Sequence, residues 1–274
     1  YTSGLLMLII FFINSSFAAI TNLNSPLDTT TQNDTPTGIY FSNDGSKVFV
    51  LGSSDDGSDR DSIAQYSLST AYDVSTASGS IETLIVDGGI GSVVGFNSLD
   101  PFGFTFNGDG SKVYIADGND DRIYEITLET NFDLTSSATH TGTLNTNVTN
   151  GSETPCGITF NNDGSKLFLA GFNDQGIVYW SLGTDYDIDT EGSASIFDLR
   201  PYKSASNFKP RDVDFNSNGT RMYVVDFNDD RIVIFKLDNA FDLSSGVTEL
   251  GSIDTSSIDP QTFSSEFNSD GSKF

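Results

Sequence analysis

The chain has little sulfur or imidazole chemistry to offer. Of 274 residues, one is cysteine, Cys156, and one is histidine, His140. A single cysteine excludes an internal disulfide, and a single histidine leaves zinc, copper and haem sites without their usual ligands. A thiol nucleophile needs a base beside it, yet His140 lies in a polar Ser/Thr-rich stretch. Both residues are read as structural, Cys156 as a small filler at a strand start. Basic residues are scarce too: 13 Lys plus Arg against 38 Asp plus Glu, a formal net charge of −25. Such an excess repels phosphate backbones and anionic lipid, which excludes nucleic acid and anionic membranes as partners. A solvated surface suited to a salty medium is the plainer reading, and a surface that collects cations the sharper one. No long apolar run is present. Leu5 to Ile13 is nine residues, where a membrane-spanning helix needs about twenty. Small residues follow it at Ser16-Phe17-Ala18. Residues 1–18 are therefore expected to be a signal peptide lacking its start, with Ala19 the first mature residue and the protein secreted, extracellular or periplasmic.

What the chain does have is one stretch spelled five times: FSNDGSK, FNGDGSK, FNNDGSK, FNSNGTR and FNSDGSK, on Gly45, Gly110, Gly164, Gly219 and Gly271. Asp-Gly or Asn-Gly between apolar runs is a hairpin signal: the acid or amide bonds nearby backbone, and glycine accepts positive φ without steric cost. A calcium loop would need spaced oxygen ligands before its glycine and a glutamate after it, and no copy supplies them. The glycines recur at intervals of 52 to 65 residues, the longest interval containing the insertion SSDDGSDRD at 53–61. Pro36, Pro101, Pro155 and Pro210 each stand nine residues before their glycine.

Each unit carries four strand signals. Two flank the turn, as in Gly157 to Phe160 and Lys166 to Leu169. The third is Ile63 to Leu68, Ile123 to Leu128, Ile177 to Leu182 or Ile232 to Leu237, with period-two apolar faces such as Tyr124/Ile126/Leu128. A second shared turn follows: Tyr72-Asp73-Val74, Phe132-Asp133-Leu134, Tyr186-Asp187-Ile188 and Phe241-Asp242-Leu243. The fourth run is less regular: Ile81 to Val86, Gly142 to Val148, Ala194 to Leu199 and Thr248 to Ile253. Four antiparallel strands repeated at this interval predict an all-β propeller, because stacking around an axis buries both faces of every inner strand. A solenoid is the second architecture. Residues 19–274 are expected to form a C-terminally incomplete propeller domain with four complete blades and a partial fifth. The strand Ala19 to Leu23 is expected to be unpaired or borrowed by that partial blade. Phe106, Phe160 and Phe215 share one register and are expected to be buried between blades.

At Tyr114-Ile115-Ala116-Asp117, Asn119 and Arg122-Ile123, and again at Tyr223-Val224-Val225-Asp226, Asn228 and Arg231-Ile232, the chain resembles NHL-type and YVTN-type propeller repeats. The FxxDGSK turn is similar to the WD-like repeats of TolB-type propellers, and the whole unit resembles repeats of secreted bacterial propeller proteins. The resemblance covers about residues 36–274 and implies a fold that hosts both binding proteins and several enzyme chemistries.

Strand alternation puts the loops after the second and fourth strands on one face. Asp117, Asn119, Asp121, Asn173, Asp174, Asp226, Asn228 and Asp230 lie there as the ligand or metal candidates. Ion-paired turn residues are the plainer reading of them. If they bind a metal, hard oxygen ligands point to calcium; no other cofactor is implied. Two functions follow: a secreted, non-catalytic module binding a protein, glycan or surface polymer through its loop face, or a calcium-assisted propeller hydrolase of the lactonase or phytase-like kind. The hydrolase needs carboxylates where the first strands begin to line the channel. Thr37, Phe102, Cys156 and Arg211 stand there, with Asp212 and Asp214 as partial exceptions, so the binding module is the leading expectation.

Overall fold

The computed structural model describes residues 5–6, 27–29, 35–53, 62–85, 100–147, 154–171, 175–202, 208–257 and 261–267. Leu5–Leu6 (β1) pairs with Leu27–Asp28 (β2) in a short antiparallel ladder. Blade one follows as Thr35–Phe41, Lys47–Ser53, Ser62–Leu68 and Ala77–Ile85 (β3–β6). Blade two is Pro101–Phe106, Lys112–Asp117, Arg122–Leu128 and Ala138–Asn145 (β7–β10). Blade three is Pro155–Phe160, Lys166–Gly171, Gly176–Ser181 and Ser195–Asp198 (β11–β14). Blade four is Pro210–Phe215, Arg221–Asp226, Arg231–Leu237 and Val247–Asp254 (β15–β18). Each is a four-stranded antiparallel sheet in sequence order, and the only helical residues described are three short 3₁₀ turns. The first strands β3, β7, β11 and β15 touch in succession and form the inner wall. This is the propeller expected. The signal-peptide stretch apart from β1, the strand Ala19 to Leu23, and Gly271 lie outside the described residues.

The repeated glycines do two jobs. Gly45, Gly110, Gly164 and Gly219 have φ between +67° and +76°, a region side chains avoid. A Cβ on any of them would also run into the ring of Tyr72, Phe132, Tyr186 or Phe241 respectively. Those aromatics are themselves left-handed, with φ of 52–57°, and each donates its backbone N–H to the turn glycine's carbonyl at 2.8–3.0 Å. The two shared turns of a unit are thus one locked corner. The following Asp73 and Asp187 accept from the N–H two residues on and start a 3₁₀ turn that buries Val74 or Ile188. The chain leaves this corner extended, so β6 and β10 begin at Ala77 and Ala138, about four residues earlier than expected from apolar pattern.

Blades are joined by a repeated ring contact. The aromatic of the second strand meets the pre-turn phenylalanine of the next blade: Phe49–Phe106 at 4.7 Å, Tyr114–Phe160 at 4.7 Å and Phe168–Phe215 at 4.6 Å. Tyr223–Phe267 continues the series at 4.4 Å, which places residues 262–267 as the inner segment of a fifth blade. Phe106 and Phe215 are buried as expected, whereas Phe160 keeps a partly exposed edge between Tyr114 and Tyr186. Lysines add a second stitch: Lys47, Lys112 and Lys166 donate Nζ to the carbonyls of Phe132, Tyr186 and Phe241 in the next blade.

The recurring proline also has a physical role. It opens the inner strand or, in blade one, stands second in it. The inner strand has a free edge, so the missing N–H is not needed. The register slips just after it in every blade, at Pro36/Gly38, Pro101/Gly103, Pro155/Ile158 and Pro210/Asp212. This bulge re-aims the residues that follow toward the axis.

Candidate active site at the blade axis

The acidic loop residues sit at hairpin ends in separate blades. Asp117 is fully buried, and its Oδ1 accepts from the N–H groups of Asp100 at 2.8 Å and Asn119 at 3.2 Å. Asp226, its counterpart, accepts from the Lys209 N–H and pairs with Arg231 at 3.1 Å. Desolvation raises the pKa of both. These carboxylates clasp the incoming segment ahead of the inner strand's proline. Asn119 and Asn228 are exposed loop tips. Asp121 and Asp230 take φ of 53° and 46°, and their carbonyls receive the N–H of Thr146 and Thr255. Gln175 does the same for Leu199 at φ 54°, so the role belongs to the backbone and the side chain is free to vary. Asn173 and Asp174 lie outside the described residues. Among the described residues, no group of three or more His, Cys, Asp or Glu side chains is arranged to hold a metal ion.

The side chains that do converge are on the inner strands. Placed in register, the five copies read TPTGIYF, DPFGFTF, TPCGITF, KPRDVDF and QTFSSEF. Gly38, Gly103 and Gly157 occupy one position; in blade four it is Asp212. The glycines are small because inner strands nearly touch: a Cβ on Gly103 would stand 2.8 Å from the Cα of Gly157, and one on Gly157 2.6 Å from the Cα of Asp212. Asp212 fills the space these glycines leave. Two residues further, Tyr40, Thr105 and Thr159 give way to Asp214 and Glu266. Asp212, Asp214 and Glu266, with Thr105, Thr159 and Ser265, line an axial cavity of about 20 Å³, room for one water molecule.

Asp212 is buried and well bonded. Its Oδ1 accepts the Val213 N–H at 2.9 Å, and its Oδ2 accepts the Ser264 hydroxyl and the Ser265 N–H, both at 2.8 Å. Desolvation nevertheless outweighs these bonds and pushes its pKa up to about 6. Asp214 accepts the Phe215 N–H at 2.7 Å. Burial raises its pKa as well, and the Asp212 charge raises it further. Glu266 is raised by burial and then by Asp214 and Asp212. All three carboxyls are thus shifted toward their protonated forms, and the charge of each opposes the ionisation of the next. Burial, Glu266 and Asp214 in turn raise the pKa of the Tyr40 phenol.

The bulge residues named by sequence form the layer next to this cluster. The Arg211 guanidinium carbon lies 4.8, 4.9 and 5.1 Å from the ring centres of Phe102, Phe227 and Phe263, and Nη1 is 3.6 Å from the Cys156 sulfur. The register expected for carboxylates was thus early: they stand one and three residues beyond the bulge. Glu266 was missed. The signal that finds it is the comparison of the five copies, in which the position before the phenylalanine is hydroxyl, hydroxyl, hydroxyl, acid, acid.

The fold and this site together define a propeller with an acidic axial channel. Residues 100–256 match the family described as Lactonase, 7-bladed beta-propeller. The chain belongs to that family. Comparison with curated proteins gave no match. Among solved structures, a putative 6-phosphogluconolactonase from Bacteroides uniformis is 15% identical, with 89% of this chain and 67% of that one covered at a TM-score of 0.50. The periplasmic gluconolactonase of Pseudomonas aeruginosa is 16% identical over 81% of this chain and 71% of its own, at 0.49. At such identities the first likeness speaks for the fold alone. Family membership overturns the leading expectation from sequence, the non-catalytic binding module, and favours the lactonase named within the second. The NHL, YVTN and TolB-type resemblance carries only as far as the β-propeller fold.

Proposed function

We propose that this chain hydrolyses a lactone, with Asp214 and Glu266 as the proton-accepting pair and Asp212 holding the wall that carries Glu266. The observation behind this reading is the family match over residues 100–256, a stretch that includes Asp212 and Asp214. The chemistry of the channel suits it. The axial cavity takes a water but not a sugar ring, so the lactone carbonyl meets that water at the channel mouth. A carboxylate of the pair takes a proton as the water oxygen bonds to the carbonyl carbon. The ring C–O bond then breaks, the carboxyl returns that proton to the departing ring oxygen, and the product is a hydroxy acid. A base is most effective when its pKa is near the working pH, and burial has moved these carboxyls in that direction.

The test is base uptake in a pH-stat with a panel of γ- and δ-lactones. Wild type should exceed spontaneous hydrolysis, and Asp214→Asn should lose about 10²-fold or more, the usual contribution of general base catalysis. Turnover unchanged in that variant would sink the assignment. The same reading has the protein exported, on the apolar run Leu5 to Ile13 and the small residues at 16–18. Mass spectrometry of the mature protein should find Ala19 at its N-terminus; retention of the preceding residues would refute export by cleavage.

A further inference from the structure

One position of the five inner-strand copies changes character at the axial cavity. The residue after the close-approach position is Ile39, Phe104, Ile158 and Val213 in the first four copies, and Ser265 in the fifth. All five line the cavity. The first four are buried in the hydrophobic clusters of their blades. A serine in place of a branched or aromatic side chain is smaller and brings a hydroxyl. It leaves a space of about 20 Å³ with a polar group on its border.

Ser265 is fixed by its backbone and its neighbours. Its N–H and the Ser264 hydroxyl both reach Asp212 Oδ2 at 2.8 Å. The Phe267 N–H is donated to Asp214, which also accepts from the Phe215 N–H at 2.7 Å. The Ser265 hydroxyl takes no part in this attachment. Its oxygen is buried and has no hydrogen-bond partner among the described residues. Burying a hydroxyl without a partner costs free energy that a bound water restores. The cavity beside it has room for one water, and Asp214 and Glu266 on its border supply the further polar partners such a water needs.

We propose that Ser265 holds the hydrolytic water, a role that rests on the lactonase reading above. Its hydroxyl donates to one lone pair of the water oxygen. An ionised carboxylate of Asp214 or Glu266 accepts one of the water's hydrogens. The second lone pair is then left for the lactone carbonyl carbon at the channel mouth. Ser265 neither gains nor loses a proton. The carboxylate takes the water's hydrogen as the oxygen–carbon bond forms, and returns it to the ring oxygen as the ring opens. Holding the nucleophile in direction lowers the barrier of the chemical step, so the effect falls on kcat and not on KM. The hydroxyl bonds no described side chain or backbone group, so its removal costs the fold little, whereas Ser264 carries a bond to Asp212.

The test compares Ser265→Ala and Ser264→Ala with wild type, on the lactone of the γ- and δ-panel that wild type turns over fastest. Ser265→Ala should lose about tenfold in kcat, the size of one neutral hydrogen bond, with KM within about twofold of wild type. Its pH profile should keep its shape at lower height, since the carboxyls are untouched. Its melting temperature should match wild type, while Ser264→Ala melts lower. A crystal structure of the wild type should show an ordered water bonded to Ser265 Oγ. Turnover in Ser265→Ala within about twofold of wild type would overturn this role and leave the lactonase reading standing. A wild type inert toward the whole panel would remove that reading, and this role with it. A melting temperature in Ser265→Ala as low as that of Ser264→Ala would also overturn the role, because the hydroxyl would then be holding the fold. So would a wild-type crystal structure with no water at Ser265 Oγ.

Discussion

Gly157→Ala tests whether the inner strands are as close as the axis requires. The added Cβ would overlap the carboxylate of Asp212 and stand 2.6 Å from its Cα. A side-chain end could swing away, but a backbone Cα cannot, so β11 and β15 must part. Overpacking of this kind costs about 1–3 kcal/mol. Parting the strands also loosens the bonds Asp212 makes to Ser264 and Ser265, worth roughly 1.5 kcal/mol or more where the acceptor is charged. The sum is about 3–4 kcal/mol, or roughly 10 °C in melting temperature for a chain of this size. The control is Gly183→Ala, where the nearest atom to the new Cβ is 3.4 Å away and the site is exposed; its effect should stay within about 0.5 kcal/mol. Paired thermal melts, checked by urea unfolding, give the answer. A Gly157→Ala melt within about 2 °C of wild type would refute the close approach and the placement of Asp212 that depends on it.

Stability should fall as pH rises. Asp212 has a folded pKa of about 6, above its unfolded value of 3.8, so the native state keeps its proton longer. The contribution is whole below about pH 4 and lost by pH 6 to 7, amounting to about 3 kcal/mol; Asp214 and Glu266 extend the decline upward. Urea midpoints between pH 4 and 8 measure it, and a midpoint that rises with pH would contradict the burial. Two arginines should behave oppositely. Arg231→Ala strands the fully buried Asp226 and should cost about 3–5 kcal/mol. Arg122→Ala removes a 3.9 Å pair with Asp120 between half-exposed groups and should cost under about 0.5 kcal/mol; equal losses would show the two hairpins to be alike.

Much of the fold was legible because its causes are local. Asp-Gly turns, period-two strands and the Tyr/Phe-Asp corner are each written within ten residues, and they repeat. Two things were not legible by the same means. The start of β6 and β10 is set by the Asp-capped corner rather than by apolar residues, and β10 carries polar side chains outward. The site depends on which residue a β-bulge turns inward, and a bulge shifts register without changing composition. Loop carboxylates such as Asp117 and Asp226 stood out by number, although the structure uses them to bind backbone N–H groups. Asp212 and Asp214 were named only as exceptions to the expected register, and Glu266 was missed because its signal lies in what it replaces, a hydroxyl at the position before the phenylalanine.

The pH profile of lactone hydrolysis tests the central claim, that the axial carboxyls are the reacting groups. For wild type, kcat/KM should rise with pH through the raised range in which the Asp214 and Glu266 carboxyls ionise, after subtraction of the spontaneous rate. Asp214→Asn should lie near the uncatalysed rate at every pH, while Arg122→Ala should retrace wild type. A profile that Asp214→Asn leaves unchanged in height and shape would contradict the account.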